Sequence, residues 1–295
     1  MAQAASAPRA RRAQDFLALT KPTIMLLVLV TGFLTLFLIP DASPSLGTVA
    51  ATLVGTALAS GSANALNMYF DRDIDQVMKR TQKRPIPAGR VTPAEALVFG
   101  IALGVASVVL LWTTTNALAA LIALGGILFY IFVYTLFLKR RTPQNIVIGG
   151  AAGSVAPLIA WAAVTGTVEL PAVLLFLVIF LWTPPHFWAL ALIASDDYAR
   201  AGVPMLPVVR GEEETRRQIF LYTILLLLLG VAFYAVDFLG PLFLVASLAL
   251  NGIFAYKAWK LRKEPSPQAA RDVFMYSNFY LALLFIAMLL DRMLL

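Results

Sequence analysis

The sequence predicts an all-α, polytopic membrane protein of nine transmembrane helices. Three observations carry that prediction. Hydrophobic residues make up 60% of the 295 residues and charged residues only 13%, whereas a soluble domain is about half apolar and a quarter charged. The apolar residues fall in blocks of about 20, long enough to cross ~30 Å of hydrocarbon as helix. Every Lys and Arg except Arg292 lies in or beside the connections on one side of those blocks.

The blocks place helices near 23–39, 46–68, 92–112, 116–137, 144–164, 170–192, 217–236, 240–258 and 272–290. Pro22, Pro40, Pro93, Pro143, Pro171 and Pro241 mark their ends, because proline lacks the N–H that a helix interior needs. Gly55, Ala59, Gly100 and Gly104 permit close helix contact in lipid, where no hydrophobic effect draws helices together. The basic side is the N-terminal arm with loops 69–91, 138–143, 193–216 and 257–271. The positive-inside rule therefore puts the N-terminus in the cytoplasm and the C-terminus, after nine crossings, outside.

No segment is long and polar enough for a soluble domain. The chain divides into a cytoplasmic arm, 1–20, and a single transmembrane domain, 21–295. Arg9, Arg11 and Arg12 suit a juxtamembrane arm at a bacterial plasma membrane. A mitochondrial targeting peptide, with residence in the inner mitochondrial membrane, is the alternative. Cysteine is absent, which excludes disulfides, Cys-ligated zinc and thiol nucleophiles. A single histidine excludes a multi-His metal centre. The net charge of +7 is dispersed among short loops, which argues for lipid and against nucleic acid as the partner.

Chemistry concentrates at two places on the basic side. After the second span, Asn67, Asp71 and Asp75 are spaced i, i+4, i+8 and line one helical face. Three converging oxygens without a counter-ion repel one another, so the pattern calls for a hard divalent cation such as Mg²⁺. Arg72, Lys79, Arg80, Lys83 and Arg84 stand beside them, as a diphosphate leaving group requires. The competing reading is a solvated loop obeying the positive-inside rule. It explains the basic residues but not the row of Asn and Asp at the membrane boundary.

After the sixth span come Pro184-Pro185-His186-Phe187-Trp188 and then Asp196-Asp197-Tyr198. Two acidic clusters four spans apart suggest two four-helix halves and a ninth helix, with a diphosphate clamped between two metal ions. Helix capping by Asp196 or Asp197 is the plainer alternative. His186 reads either as a core histidine bonded to a carbonyl or as a partner for haem. A third basic segment, Tyr134 to Asn145 with Lys139 in it, runs into Gly149, Gly150 and Gly153. Lys139 suits either lipid headgroups or a diphosphate, and Asn145 in a span wants a partner or a ligand.

These segments resemble the UbiA-type intramembrane prenyltransferases. Asn67-x3-Asp71-x3-Asp75 is similar to the first acidic motif of that family. Arg80-Thr-x2-Arg84-Pro-x-Pro-x-Gly89, Tyr134 to Gly153, Trp182-Thr-Pro-Pro-His186-Phe-Trp188 and Asp196-Asp197-Tyr198-x3-Gly202-Val-Pro-Met205-Leu-Pro207 resemble its haem-farnesylating branch. The second motif departs from the family pattern of two aspartates four apart, since Arg200 and Ala201 follow Asp196 and Asp197. Ser195 stands where a basic residue is expected, and Ala160 where glycine is usual.

The resemblance implies the nine-helix UbiA-type fold and transfer of farnesyl from farnesyl diphosphate to a vinyl group of haem b, a substrate here. Water addition would complete a hydroxyethylfarnesyl arm, and pyrophosphate would leave. It implies Mg²⁺ on Asn67, Asp71, Asp75, Asp196 and Asp197. Arg80 and Arg84 would share the catalytic set with Asn67, Asp71 and Asp75. Arg72, Lys79, Lys83, Arg84, Lys139, Asp196 and Asp197 would bind diphosphate, and His186, Trp188, Tyr198, Asn145 and Tyr134 would bind haem. Tyr69 or Phe70 is a candidate to stabilise the allylic cation. Haem A synthase and oxidase assembly factors are candidate protein partners. A quinone precursor or chlorophyllide as acceptor, a haem-handling protein without catalysis, and a transporter remain the rival readings.

Overall fold

The computed structural model describes residues 9–294. Residues 1–8 of the expected arm and Leu295 lie outside the described part, as do the side chains of residues 9–11. Among the described residues all regular structure is helical, in thirteen α-helices and one π-helix. They are α1 (Arg9–Leu19), α2 (Pro22–Leu36), α3 (Leu46–Phe70), α4 (Arg72–Val77), α5 (Pro93–Thr114) and α6 (Ala117–Leu128). Then follow α7 (Asn145–Gly153), α8 (Ala156–Thr165), α9 (Leu170–Ile193), α10 (Ser195–Arg200), α11 (Leu206–Ala235), α12 (Pro241–Lys263) and α13 (Pro267–Arg292). Eight spans are long and apolar enough to cross a membrane, or nine if α1 and α2, bent by 52°, count as one.

Local chemistry sets the boundaries. Thr92 and Glu95 form a reciprocal capping box at the start of α5, and Ser45, Asn116 and Ser266 cap α3, α6 and α13. Proline occupies the first turn of α2, α5, α8, α9, α11, α12 and α13, where its missing N–H costs nothing.

Three elements depart from the sequence expectation. The fifth span breaks at Ser154–Val155, because Pro157 opens a new helix, α8. The seventh helix starts at Leu206 rather than near 217. Apolarity ends at the membrane edge, but the helix continues outward through Glu212–Arg216 and Glu214–Gln218 pairs one turn apart. Gly211, at φ 79°, interrupts its polar section. Finally, α6 continues into ten residues of π-helix, Phe129–Leu138, wider turns that carry no periodicity signal.

The larger apolar core joins α9, α11, α12 and α13 through Trp182, Phe233, Phe243, Phe254, Tyr280 and Phe285. A second cluster joins α3, α5, α6 and α8. Glycines bring the helices together: a Cβ on Gly100 would sit 2.7 Å from Leu66 Cγ, and one on Gly55 2.5 Å from Leu111 Cγ. On the face opposite the basic loops, buried Asp291 accepts hydrogen bonds from the backbone N–H of Gly240 (2.5 Å) and Phe243 (2.8 Å). It thereby caps α12 with a carboxylate from α13. Asp291→Ala leaves both N–H groups without this acceptor. We expect it to cost about 2 kcal/mol, read as a lower melting temperature in detergent, with activity retained well below that temperature.

Candidate functional site

The break between α3 and α4 is narrow. The Asp71 N–H donates to Asn67 O (2.9 Å) and the Asp75 N–H to Asp71 O (2.8 Å), so helical register survives and the three side chains share a face as their spacing predicts. All three are buried, Asp71 at 0% exposure.

Each of the three carries its own basic partner. Lys21 Nζ donates to Asn67 Oδ1 (3.0 Å). Lys139 Nζ donates to Asp71 Oδ2 (2.5 Å). Arg84 Nη1 donates to both oxygens of Asp75 at 2.8 Å. Protein cations therefore already meet these oxygens. The cations come from the α1–α2 bend, the loop after α4 and the end of the π-helix, segments far apart in sequence.

The backbone explains how they arrive. Lys21 adopts the left-handed φ of 52° just before Pro22, which opens α2 and ends the α1 register there. That bend aims its side chain at α3. In the π-helix, Thr135 Oγ1 donates to Tyr130 O (2.8 Å) and the Lys139 N–H to Tyr134 O (2.8 Å), both five residues back. Thr135 Oγ1 also accepts from Asn67 Nδ2 at 3.1 Å, while a second Asn67 Nδ2 bond, 2.7 Å long, ties it to Asp71 Oδ2. Tyr130 and Tyr134 stack, 5.2 Å between centroids. Tyr134 lies against Gly149, where a Cβ would fall 2.2 Å from its Cδ2; glycine is what lets the ring lie there.

The second cluster joins the first through one bond. Arg80 Nη2 donates to Tyr198 Oη (2.6 Å), and its guanidinium lies 4.9 Å from that ring's centroid. Burial pushes the Tyr198 phenol up, so it stays protonated. Asp197 pairs with Arg200 one turn on. Asp196 is exposed and makes no ion pair among the described residues. The structure therefore does not bring this pair of carboxylates onto the first motif. Arg84 reaches inward, while Lys79, Arg80 and Lys83 are exposed, Arg80 with its guanidinium turned onto Tyr198.

Other expected residues are placed differently too. Arg72, one position past Asp71, turns outward over the Tyr69 ring at 4.8 Å, so that ring already holds a cation. Asp73 is forked by Arg140 at 2.7 and 2.8 Å, which holds its carboxyl down at about 2. Asn145 is fully buried and donates to Thr142 O (2.7 Å), while its Oδ1 has no donor. Trp188 is 1% exposed and packs edge-on against Tyr222. Two residues from His186 on α9, it faces the opposite side of that helix and packs in the larger apolar core.

His186 is partly exposed within α9. Its ring stacks between Trp182, at 4.3 Å, and Phe274, at 4.7 Å, and Nδ1 lies 2.7 Å from Ser277 Oγ.

The model of the UbiA prenyltransferase family matches residues 27–286. The chain belongs to this family. It is 51% identical over 280 residues to protoheme IX farnesyltransferase of Symbiobacterium thermophilum, covering 94% of each chain. It is 46% identical over 298 residues to protoheme IX farnesyltransferase of Granulibacter bethesdensis, covering 98% of this chain and 93% of that one. Its fold resembles the structure of digeranylgeranylglyceryl phosphate synthase, with TM-score 0.80, 20% identity and coverage of 97% and 100%. It also resembles a UbiA homolog from Archaeoglobus fulgidus bound to GPP and Mg²⁺, with TM-score 0.70, 18% identity and coverage of 93% and 99%.

The donor set fits the divalent ion used in this prenyltransferase family. Asp71 Oδ1 is buried with no hydrogen-bond donor among the described residues, the Arg140 guanidinium lying 3.8 Å away, which leaves a lone pair that a bound cation would use. Among the described residues no three His, Asp or Glu converge into a cage. One amide and two carboxylates suit an ion completed by water and phosphate oxygens. Sequence reading missed Lys21, Tyr130 and Thr135. Lys21 sits where the positive-inside rule already accounts for a lysine, and the other two come inward only through π-helical turns.

Asp71→Asn and Asp75→Asn are each expected to lower pyrophosphate release at least 100-fold with the protein still inserted, whereas Asp73→Asn stays within about 3-fold. Lys21→Met is expected to lower it about 10-fold. A radiolabel release assay on purified variants checks all four.

Proposed function

We propose that this UbiA-family chain farnesylates haem b, with farnesyl diphosphate as donor and pyrophosphate as leaving group. The observation that carries the reading is the near full-length similarity to proteins named protoheme IX farnesyltransferase, at 46 to 51% identity. The buried cluster supplies the physical support. Lys21, Arg84 and Lys139 lie against Asn67, Asp71 and Asp75, with Arg80 at the exposed edge beside Tyr198. Such a concentration of basic groups favours a polyanion.

A divalent ion bound by Asn67, Asp71 and Asp75 would supply electrostatic stabilisation of the departing diphosphate. The chain's own groups do the rest. Arg80, Arg84 and Lys139 stabilise the pyrophosphate oxygens as the C1–O bond breaks and its electron pair goes to oxygen. Tyr130 and Tyr134, stacked in the π-helix that carries Thr135 to Asn67 and Lys139 to Asp71, offer ring faces for the allylic cation left behind, whereas the Tyr69 ring already holds Arg72. The haem vinyl electron pair then bonds to C1. Water captures the resulting cation beside the porphyrin and loses a proton, giving the hydroxyethylfarnesyl arm. The farnesyl tail, too apolar for water, lies among the spans.

The basic loops fix the orientation in this reading, with the N-terminus and the site at the cytoplasmic face of a bacterial plasma membrane. Asp196 and Asp197 act at the margin of the site. A second metal ion held there would first require Asp197 to leave Arg200.

Proteoliposomes given labelled farnesyl diphosphate with haem b, a phenolic quinone precursor or chlorophyllide test the acceptor. Label is expected in haem alone, with a mass gain equal to hydroxyethylfarnesyl, and chelation of divalent ions should stop it. Label in a phenolic acid and none in haem overturns the reading.

A further inference from the structure

The acidic row is carried by two helices whose mutual angle decides whether its oxygens converge. Asp71, at φ −90° and ψ 7°, lies in the sparsely populated bridge region, and the helix parts there into α3 and α4. Asn67 stands before the break and Asp75 after it. A swing of α4 about Asp71 would carry the Asp75 carboxylate away from the other two side chains. Arg84 and Thr81 bond to Asp75, but both belong to the loop that follows α4 and would travel with it. Lys21, Thr135 and Lys139 bond to Asn67 or Asp71 and hold the row only up to the break.

One side chain from another segment bonds to both sides. Arg140 Nη2 donates to Phe70 O at 3.0 Å. That is the last carbonyl of α3, and it has no donor within its own helix. The same guanidinium forks Asp73, the second residue of α4, at 2.7 and 2.8 Å. Its planar fork fixes the angle between the two helices, which the point charge of a lysine does not. Arg140 follows directly on Lys139, which the π-helix sets against Asp71. Its Nη2 lies 3.8 Å from Asp71 Oδ1, beyond hydrogen-bond reach, so it passes that oxygen without occupying it.

The pair has little to do with global stability. The Asp73 and Arg140 side chains are 60% and 37% exposed, and exposed ion pairs contribute little to folding. Ile74 and Met78 already pack α4 into a cluster with Ile146 and Tyr198. Arg140 and Asp73 instead line a cavity of 440 Å³ with Phe70, Arg72 and Leu136, so water reaches the pair.

We infer that Arg140 is a positioning residue for the divalent site: by clasping Phe70 O and Asp73 it sets α4 against α3 so that Asp75 converges with Asn67 and Asp71, an assignment that rests on the ion read onto those three residues. Groups that orient metal ligands without touching the ion govern its affinity.

The test uses purified full-length protein in nanodiscs without substrate. It is read by hydrogen exchange of the amides of 71–78 and by Mn²⁺ binding in electron paramagnetic resonance. Loss of a positive charge so near Asp71 would by itself tighten the ion. Arg140→Lys, which keeps the charge and loses the fork, is therefore the deciding variant. It should bind Mn²⁺ about 10-fold more weakly and exchange those amides about 10-fold faster, with an unchanged melting temperature. Arg140→Ala should show the same faster exchange, reversed by methylguanidinium, which the vacated cavity can admit. Asp73→Asn keeps an acceptor oxygen and should stay within about 3-fold on both readouts. Exchange within about 3-fold of wild type in both Arg140 variants overturns the inference. So does faster exchange in Arg140→Lys with Mn²⁺ affinity unaltered or tightened. If wild type binds no Mn²⁺ but the faster exchange and its reversal are seen, the ion reading falls and the clasp across the break stands.

Discussion

The molecule is organised by the difficulty of keeping charge in a low-dielectric interior. Asp71 and Asp75 are essentially inaccessible, and a buried charge is costly unless it is paired. Lys139 and Arg84 pair with them, and Lys21 donates to the neighbouring Asn67 amide oxygen. Each pair ties a different segment to α3 and α4. The ligand row and the packing of the bundle's basic end are therefore one feature.

This arrangement separates positioning from reaction. The cations hold the acidic row in orientation. They are also the groups that a diphosphate would recruit, so arrival of substrate exchanges internal pairs for external ones at little cost in reorganisation. Arg80 extends the same network to Tyr198 on α10 and couples the loop after α4 to the second half of the chain. The two apolar clusters on either side serve as walls for that seam.

Much of this was legible in the sequence, because it depends on short-range periodicity. The i, i+4, i+8 spacing put Asn67, Asp71 and Asp75 on one face, and the structure keeps that register across the α3–α4 break. Apolar length located the spans. What could not be read depends on long-range placement. Lys21 serves α3 only because the chain bends before Pro22, and Trp188 faces the core because α9 turns it away from His186. Asp197 resembled a metal ligand by motif, but its nearest cation is its own neighbour, Arg200. Apolar length could not show that α11 runs on past the membrane edge.

The ten π-helical residues from Phe129 to Leu138 have a consequence for how this chain can vary. A π-turn spends one more residue than an α-turn on each hydrogen bond. Relaxing the stretch to α-helix would rotate everything beyond it by a large fraction of a turn and carry Lys139 off Asp71. Insertions and deletions in that stretch are therefore coupled to an ion pair with a carboxylate on another helix, and helix length becomes a constraint on chemistry.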